Sequence, residues 1–257
     1  MRSQFWGLYV REILRTFRNP FVLLITVVQP FMWLAFFGSS FGNVPGGTAT
    51  LKALFGTGNY IAFLLPGVLS TSMLSVGMFG SMSTIQDKRF GFMKRILITP
   101  TSKQLIFLSK ALGSASRGLV QIPVMVVAAL AFGVSFSLSP LEWAAWVGAL
   151  LCLAIGFSSL FLAVTAPSTD WQTPGVVSNF ITMPLMFASS SMFSSSQFPG
   201  WMQAIAKVNP ISFSALLGRS FVLGTPPDWT YLGYLAAFAG AMLALGYGVS
   251  ARWLKVE

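Results

Sequence analysis

Six stretches of this chain contain no Asp, Glu, Lys or Arg: residues 19–51, 53–86, 118–141, 143–169, 171–206 and 229–251. Each can house the roughly 20 apolar residues that a membrane-spanning helix needs. In lipid every backbone polar group must be satisfied within the protein, which leaves helices or a closed barrel. Barrel strands alternate apolar and polar residues, and runs such as residues 21–37 do not alternate. Only 9% of the 257 residues are charged, against roughly 25% in soluble domains. The expected fold class is therefore an all-α integral membrane protein with six transmembrane helices, at about residues 21–41, 59–83, 112–136, 143–166, 174–195 and 230–251.

The charges that remain are strongly basic, 16 Lys and Arg against 6 Asp and Glu. In a soluble chain that balance could indicate nucleic acid, but in a membrane protein the enrichment of Lys and Arg in cytoplasmic segments accounts for it, and no nucleic-acid partner is expected. With six spans both termini share a side. The N-terminal segment carries four basic residues, residues 88–117 carry seven and the tail carries Arg252 and Lys255, whereas Lys52, Lys207 and Arg219 alone fall opposite. The expected location is the cell membrane, with both termini and the second-to-third connection in the cytoplasm. A single cysteine, Cys152, permits no intrachain disulfide, and the absence of histidine largely excludes metal and imidazole chemistry. Arg11, Arg15 and Arg18 before an apolar run resemble a signal peptide, with Gly38, Ser39 and Ser40 small enough for cleavage. The run is long and lacks a clear A-x-A site, so a retained first span is expected.

Residues 1–20 read as an N-terminal interfacial helix. At 100° per residue Trp6, Val10, Ile13 and Phe17 share one face and Arg11, Arg15 and Arg18 another, the pattern of a basic helix lying on a membrane. Pro20 disfavours helix at Asn19 and sets a boundary there. In the last span Ala236, Gly240, Ala244 and Gly248 form a stripe of small residues suited to close helix packing, within the chain or against a second copy. Pro30, Pro66, Pro123 and Pro184 lie inside spans, where each can kink its helix and free a carbonyl. Residues 196–228 are too long for a turn, and Pro199, Trp201, Asn209-Pro210 and Phe213 divide them into short helices at about 199–207 and 211–222. An external helical cap or a re-entrant pair before the last span fits that pattern.

Residues 86–101, QDKRFGFMKRILITPT, concentrate four positive charges between two spans. Phe90, Met93 and Leu97 recur at helical spacing, so a short helix would show an apolar ridge flanked by Lys88, Arg89, Lys94 and Arg95, ending at Pro100. Such a ridge needs a partner, either the lipid surface or another protein.

The run FGFMKRILITPTS resembles the signature of ABC-2 type transporter permeases, and the resemblance covers essentially the whole chain: a basic N-terminal helix ending in Arg18-Asn19-Pro20, six spans, the Pro199-x-Trp201 and Asn209-Pro210 segment, and a short basic tail. It implies one transmembrane domain over residues 1–257, in which residues 86–100 hold a coupling helix. Lys88, Arg89, Phe90, Gly91, Phe92, Met93, Lys94, Arg95 and Leu97 would dock onto separate ABC ATPase subunits, braced by the interfacial helix. It further implies a homodimer or heterodimer of permeases exporting an amphiphilic, drug-like or lipid-linked substrate, as in multidrug resistance. Arg89 and Arg95 stand where family members often carry acids, so the docking partner would present complementary carboxylates. No G-x-x-x-x-G-K-[ST] occurs, so no cofactor is expected on this chain and ATP with Mg²⁺ would sit on the partner subunit. A secondary transporter or channel would usually place an ionisable group within the spans. Asp87, Glu142, Asp170 and Asp228 fall at span edges or in loops, and Arg117 near a span end is explained by snorkelling.

Overall fold

The computed structural model describes residues 2–42 and 47–253. No strand occurs among them, and twelve α-helices account for most of the chain. Helices α1 (Arg2–Phe17) and α2 (Pro20–Gly42) meet at Asn19, as the ring of Pro20 requires. A short helix α3 (Gly47–Phe55) precedes α4 (Tyr60–Arg89), whose first turn is capped by the Asn59 side chain accepting from the Ile61 and Ala62 amides. After α5 (Phe92–Leu97) come α6 (Lys103–Ala115) and α7 (Gly118–Ala131), two halves of one apolar rod bent at Ser116–Arg117. Helix α8 (Pro140–Thr165) begins with a full capping box between Ser139 and Glu142, followed by Pro140 at the first helical position. The remainder is α9 (Thr173–Phe187), α10 (Gly200–Ala206), α11 (Pro210–Leu223) and α12 (Thr230–Trp253).

Helix α4 is the axis of the bundle, packing on α8, α11, α2 and α6, while α12 packs chiefly on α8. Within its apolar window 78% is buried, against 22% for α2 and 17% for α12. The two outer helices therefore present apolar surface that only lipid or another protein can cover. The core interleaves Leu64, Leu69, Met73 and Val76 of α4 with Trp146, Leu150, Phe157 and Phe161 of α8. Buried polar side chains act as interhelical ties. Pro30 has no N–H to give the Thr26 carbonyl four residues earlier, and the Gln121 side chain of α7 donates to that carbonyl at 2.5 Å while accepting from Ser72 of α4 at 2.9 Å.

Five helical rods among the described residues are long and apolar enough to cross a membrane: 23–41, 47–89, 103–131, 140–165 and 230–251. The fifth expected span, about 174–195, holds the 15-residue α9, which ends at Phe187. Six serines follow between 189 and 196, and the Ser189, Ser190 and Ser191 groups bond to nearby backbone and to Ser212, an alternative to helical pairing. The third rod starts at Lys103, nine residues before the expected 112, because Lys110 carries a charge whose partners, Glu12 and Asp87, a linear sequence does not reveal. The two pieces between 196 and 228 differ in placement. Trp201 of α10 is exposed, whereas α11 buries ten of its residues among α4, α8 and α12.

Candidate functional site: a buried charge cluster beneath a short basic helix

At the end of α4 the chain turns sharply. Gly91 takes a left-handed conformation, φ 72°, open only at strain to residues with a Cβ, and sends α5 off the axis of α4. Helix α5 presents two opposite faces. Met93 and Ile96 are almost fully buried against Ile106 of α6, with Leu8 of α1, Phe92 and Leu97 packed around them. Burial of such side chains contributes roughly 1.5–3 kcal/mol each. Arg89, Phe90, Lys94, Arg95 and Ile98 are exposed, Phe90 at 78% and Ile98 at 85%.

This corrects the expected ridge of Phe90, Met93 and Leu97. Met93 points inward and Leu97 is half-buried, so the outward apolar groups are Phe90 and Ile98, beyond either end of α5, flanked by three cations. Helical spacing names residues that share a face; which face is buried depends on α6, distant in sequence from neither but invisible as a packing surface. Lys88 also departs from the outward set, since its ammonium donates to the Ala166 and Ser168 carbonyls at the end of α8. That arrangement suits a cation at a helix C-terminus.

Beneath α5 lies a cluster of six charged side chains from α1, α4 and the bent rod α6–α7. Lys110 bridges Asp87 at 2.6 Å and Glu12 at 3.0 Å. Arg11 reaches Asp87 at 2.8 Å through one nitrogen and at 3.1 Å through the other, and Arg15 reaches it at 3.0 Å. Arg117 lies 3.5 Å from Glu12, which also accepts from Ser83 at 3.0 Å. Arg11 stacks over the Phe92 ring with its guanidinium carbon 3.6 Å from the centroid, so one side chain joins α1 to both α4 and α5. Asp87 and Glu12 are 3% and 2% exposed. Their charges are paired as buried carboxylates must be.

Sequence reasoning missed most of this. Asp87 does lie at the end of a span, but buried and paired, and Arg117 turns inward to Glu12 instead of snorkelling to water. Glu12, an acid at the centre of a basic helix, was the available signal: at 100° per residue it falls on the side opposite Leu14 and Phe17, and both of those are exposed. The small-residue stripe Ala236, Gly240, Ala244 and Gly248 faces out of the molecule, and α12 uses Leu235, Ala239, Gly246 and Ser250 against its own chain. In the basic tail, Lys255 lies outside the described residues.

The carboxyl of Glu12 answers to opposing influences. Burial pushes it up, but the charge and hydrogen bond of Lys110, opposed by Asp87 and helped by Arg117, hold it below its ordinary 4.5. A depressed folded value stabilises the docked helix above the unfolded value and loses that contribution as pH falls through the folded one. Amide exchange in α1 is therefore expected to stay slow from neutrality down to about 4.5 and to accelerate only below it; acceleration already between pH 6 and 5 would contradict this pairing.

A second polar knot ties α11 to α4 on the other side of the core. Arg219 is 6% exposed and has no carboxylate partner among the described residues. Its guanidinium stacks 3.5 Å over the centroid of Phe63 and donates to the Phe63 carbonyl at 2.9 Å and the Ser191 carbonyl at 2.5 Å. Tyr60 donates to the Met192 carbonyl at 3.0 Å, and Asn209 donates to those of Leu185 and Ala188. The broken segment after α9 is thus held by side chains from α4 and from the start and end of α11.

Comparison with known families matches the ABC-2 type transporter model over residues 3–220. The chain belongs to the ABC-2 type transporter family. It is similar to a putative transport permease, ycf38, of Porphyra purpurea, 26% identical over 250 residues that cover 95% of this chain and 81% of the relative. The daunorubicin resistance ABC transporter permease protein DrrB1 of Streptomyces coeruleorubidus is 27% identical over 86% of this chain and 75% of its own. The inner membrane transport permease YadH of Escherichia coli is 23% identical over 96% and 94%. An ABC-2 permease is a multi-pass membrane component of a transporter, which accords with the five apolar rods. In this ABC-2 permease the short basic helix α5 and the charge cluster are joined: Arg11 of α1 contacts both Phe92 of α5 and Asp87 of α4, Lys110 of α6 bonds Asp87, and Lys88 ties the end of α4 to α8.

Proposed function

We propose that this ABC-2 permease is the membrane half of an ATP-driven exporter, and that α5 is the coupling helix onto which a separate ABC ATPase subunit docks. The carrying observation is the two-faced character of α5. Phe90 and Ile98 project outward beside Arg89, Lys94 and Arg95, while Met93, Ile96 and Phe92 are keyed into α1 and α6. A load applied to the outer face passes into α4, the buried axis of the bundle, and through Lys88 into α8. The partner surface would be an apolar recess rimmed with carboxylates, complementary to three cations and two apolar side chains. Nucleotide and Mg²⁺ belong to that partner, and two permease copies form the transport path between them. Both termini and α5 face the cytoplasm, as the basic excess on that side supports. The family's drug-resistance members support an amphiphilic, drug-like or lipid-linked cargo.

The test is co-purification of the cognate ATPase with the solubilised permease and measurement of permease-stimulated ATP hydrolysis. Phe90→Asp combined with Ile98→Asp is expected to lose at least tenfold in ATPase retention, since two exposed apolar anchors become acids facing an acidic rim. Melting temperature should stay unchanged, because neither side chain packs on the permease. Full ATPase retention by that double variant, or by Lys94→Glu with Arg95→Glu, would remove α5 as the docking site.

A further inference from the structure

We infer that the outer face of α1 is a binding site for the phosphate of an anionic membrane phospholipid. The six ion pairs of the charge cluster join four cations, Arg11, Arg15, Lys110 and Arg117, to two carboxylates, Glu12 and Asp87. The four buried members, Lys110, Arg117, Glu12 and Asp87, balance one another, so among the described residues the net charge of plus two falls to Arg11 and Arg15. That surplus is presented at the surface by two guanidinium groups and is complementary to an anion there. The cluster is accessible from one direction only: Lys110 and Arg117 are at most 9% exposed, whereas the Arg11 and Arg15 side chains are each 31% exposed.

That exposed side is an open face of α1. Two adjacent rows line it, each with a four-residue repeat: Trp6, Val10 and Leu14, and Gly7, Arg11 and Arg15, the second continued by Arg18. Arg18 is exposed and makes no ion pair among the described residues, and a Cβ at Gly7 would meet nothing within 4 Å, so both ends of the basic row are open. Beside it Trp6 is 62%, Leu14 45%, Phe17 55% and Phe21 69% exposed. An apolar strip of that kind beside a guanidinium row matches a lipid: glycerol and upper acyl chain on Trp6, Val10 and Leu14, phosphate on Arg11, Arg15 and Arg18. A soluble phosphate would use the arginines and leave the apolar row idle.

The experiment uses full-length permease in detergent without any ATPase, so its outcome is independent of the coupling reading. Native mass spectrometry counts lipids retained on titration with phosphatidylglycerol or phosphatidylcholine. Phosphatidylglycerol is expected to bind about fivefold more tightly for each arginine engaged, a preference reduced about fivefold by Arg18→Gln and kept by Arg18→Lys. Arg18 takes no part in the ion pairs, so its replacement should leave the melting temperature of the lipid-free protein unchanged. Equal retention of the two lipids, or a preference that survives Arg18→Gln, would overturn the assignment. Displacement of phosphatidylglycerol by millimolar inorganic phosphate would reassign the site to a soluble anion.

Discussion

Asp87→Ala is expected to lower the stability of the solubilised permease by about 3–5 kcal/mol, the range for removing one partner of a buried ion pair. The size follows from what Asp87 neutralises. Its two oxygens receive Lys110 at 2.6 Å, Arg11 at 2.8 and 3.1 Å, and Arg15 at 3.0 Å, with its side chain only 4% exposed. Without it, Glu12 is the sole carboxylate facing four cations, and Lys110, itself 5% exposed, cannot recover hydration in place. Because Arg11 also stacks on Phe92, the loss should loosen α5 as well as α1. Chemical denaturation of the purified protein measures the effect, and Asp87→Ala combined with Lys110→Met should recover part of it by removing the stranded charge. A single variant as stable as the parent would mean that the cluster is hydrated and its charges screened.

Gly67→Ala is expected to be nearly as damaging although it adds one methyl group. A Cβ at Gly67 would lie 1.7 Å from the Ser191 carbonyl oxygen, 2.5 Å from its carbon and 2.8 Å from its Cα. The obstacle is backbone, so no rotamer change relieves it; overpacking costs roughly 1–3 kcal/mol even where side chains can yield. The displaced segment carries the carbonyls of Ser191 and Met192 that Arg219 and Tyr60 engage, so those bonds are lost together. Arg219 would then be left buried with fewer acceptors, a further cost. Labelling of Ser191→Cys, in a background with Cys152→Ser, should be slow in the parent, where Ser191 is 0% exposed, and fast beside Gly67→Ala. Gly175→Ala is the control, since nothing lies within 4 Å of its added Cβ. Equal labelling in all three proteins would mean that the close approach at Gly67 yields without cost.

Much of the architecture was legible in the chain because lipid imposes a one-dimensional rule. A span is a run of apolar residues of sufficient length, and that property survives without knowledge of neighbours. The rods at 140–165 and 230–251 lie within a few residues of their expected edges. A short helix within residues 86–100 was visible from the spacing of Phe90, Met93 and Leu97 and from Pro100, while its start at Phe92 is set by the left-handed Gly91. Legibility failed wherever a residue's meaning lay in a distant partner. Lys110 made the first two turns of α6 look too polar for a span, because Glu12, 98 positions away, is not a neighbour in the sequence. Residues 174–195 were apolar enough to suggest a span, yet Ser189 to Ser191 gain better bonds from Ser212 and their own turn than from a continued helix.

Composition and hydropathy by themselves determined that this chain is helical, lies in a membrane and carries a basic segment between two apolar rods. Those are properties of free-energy transfer between water and lipid, additive over residues and independent of topology. Only the tertiary structure decided which side of α5 is outward, which carboxylates hold the four cations, and that α11 lies inside the bundle beside α4. The reason is physical: pairing energies depend on distances between residues far apart in the chain, and in a low-dielectric interior a few tenths of an ångström between a charge and its partner outweigh the local preference of either.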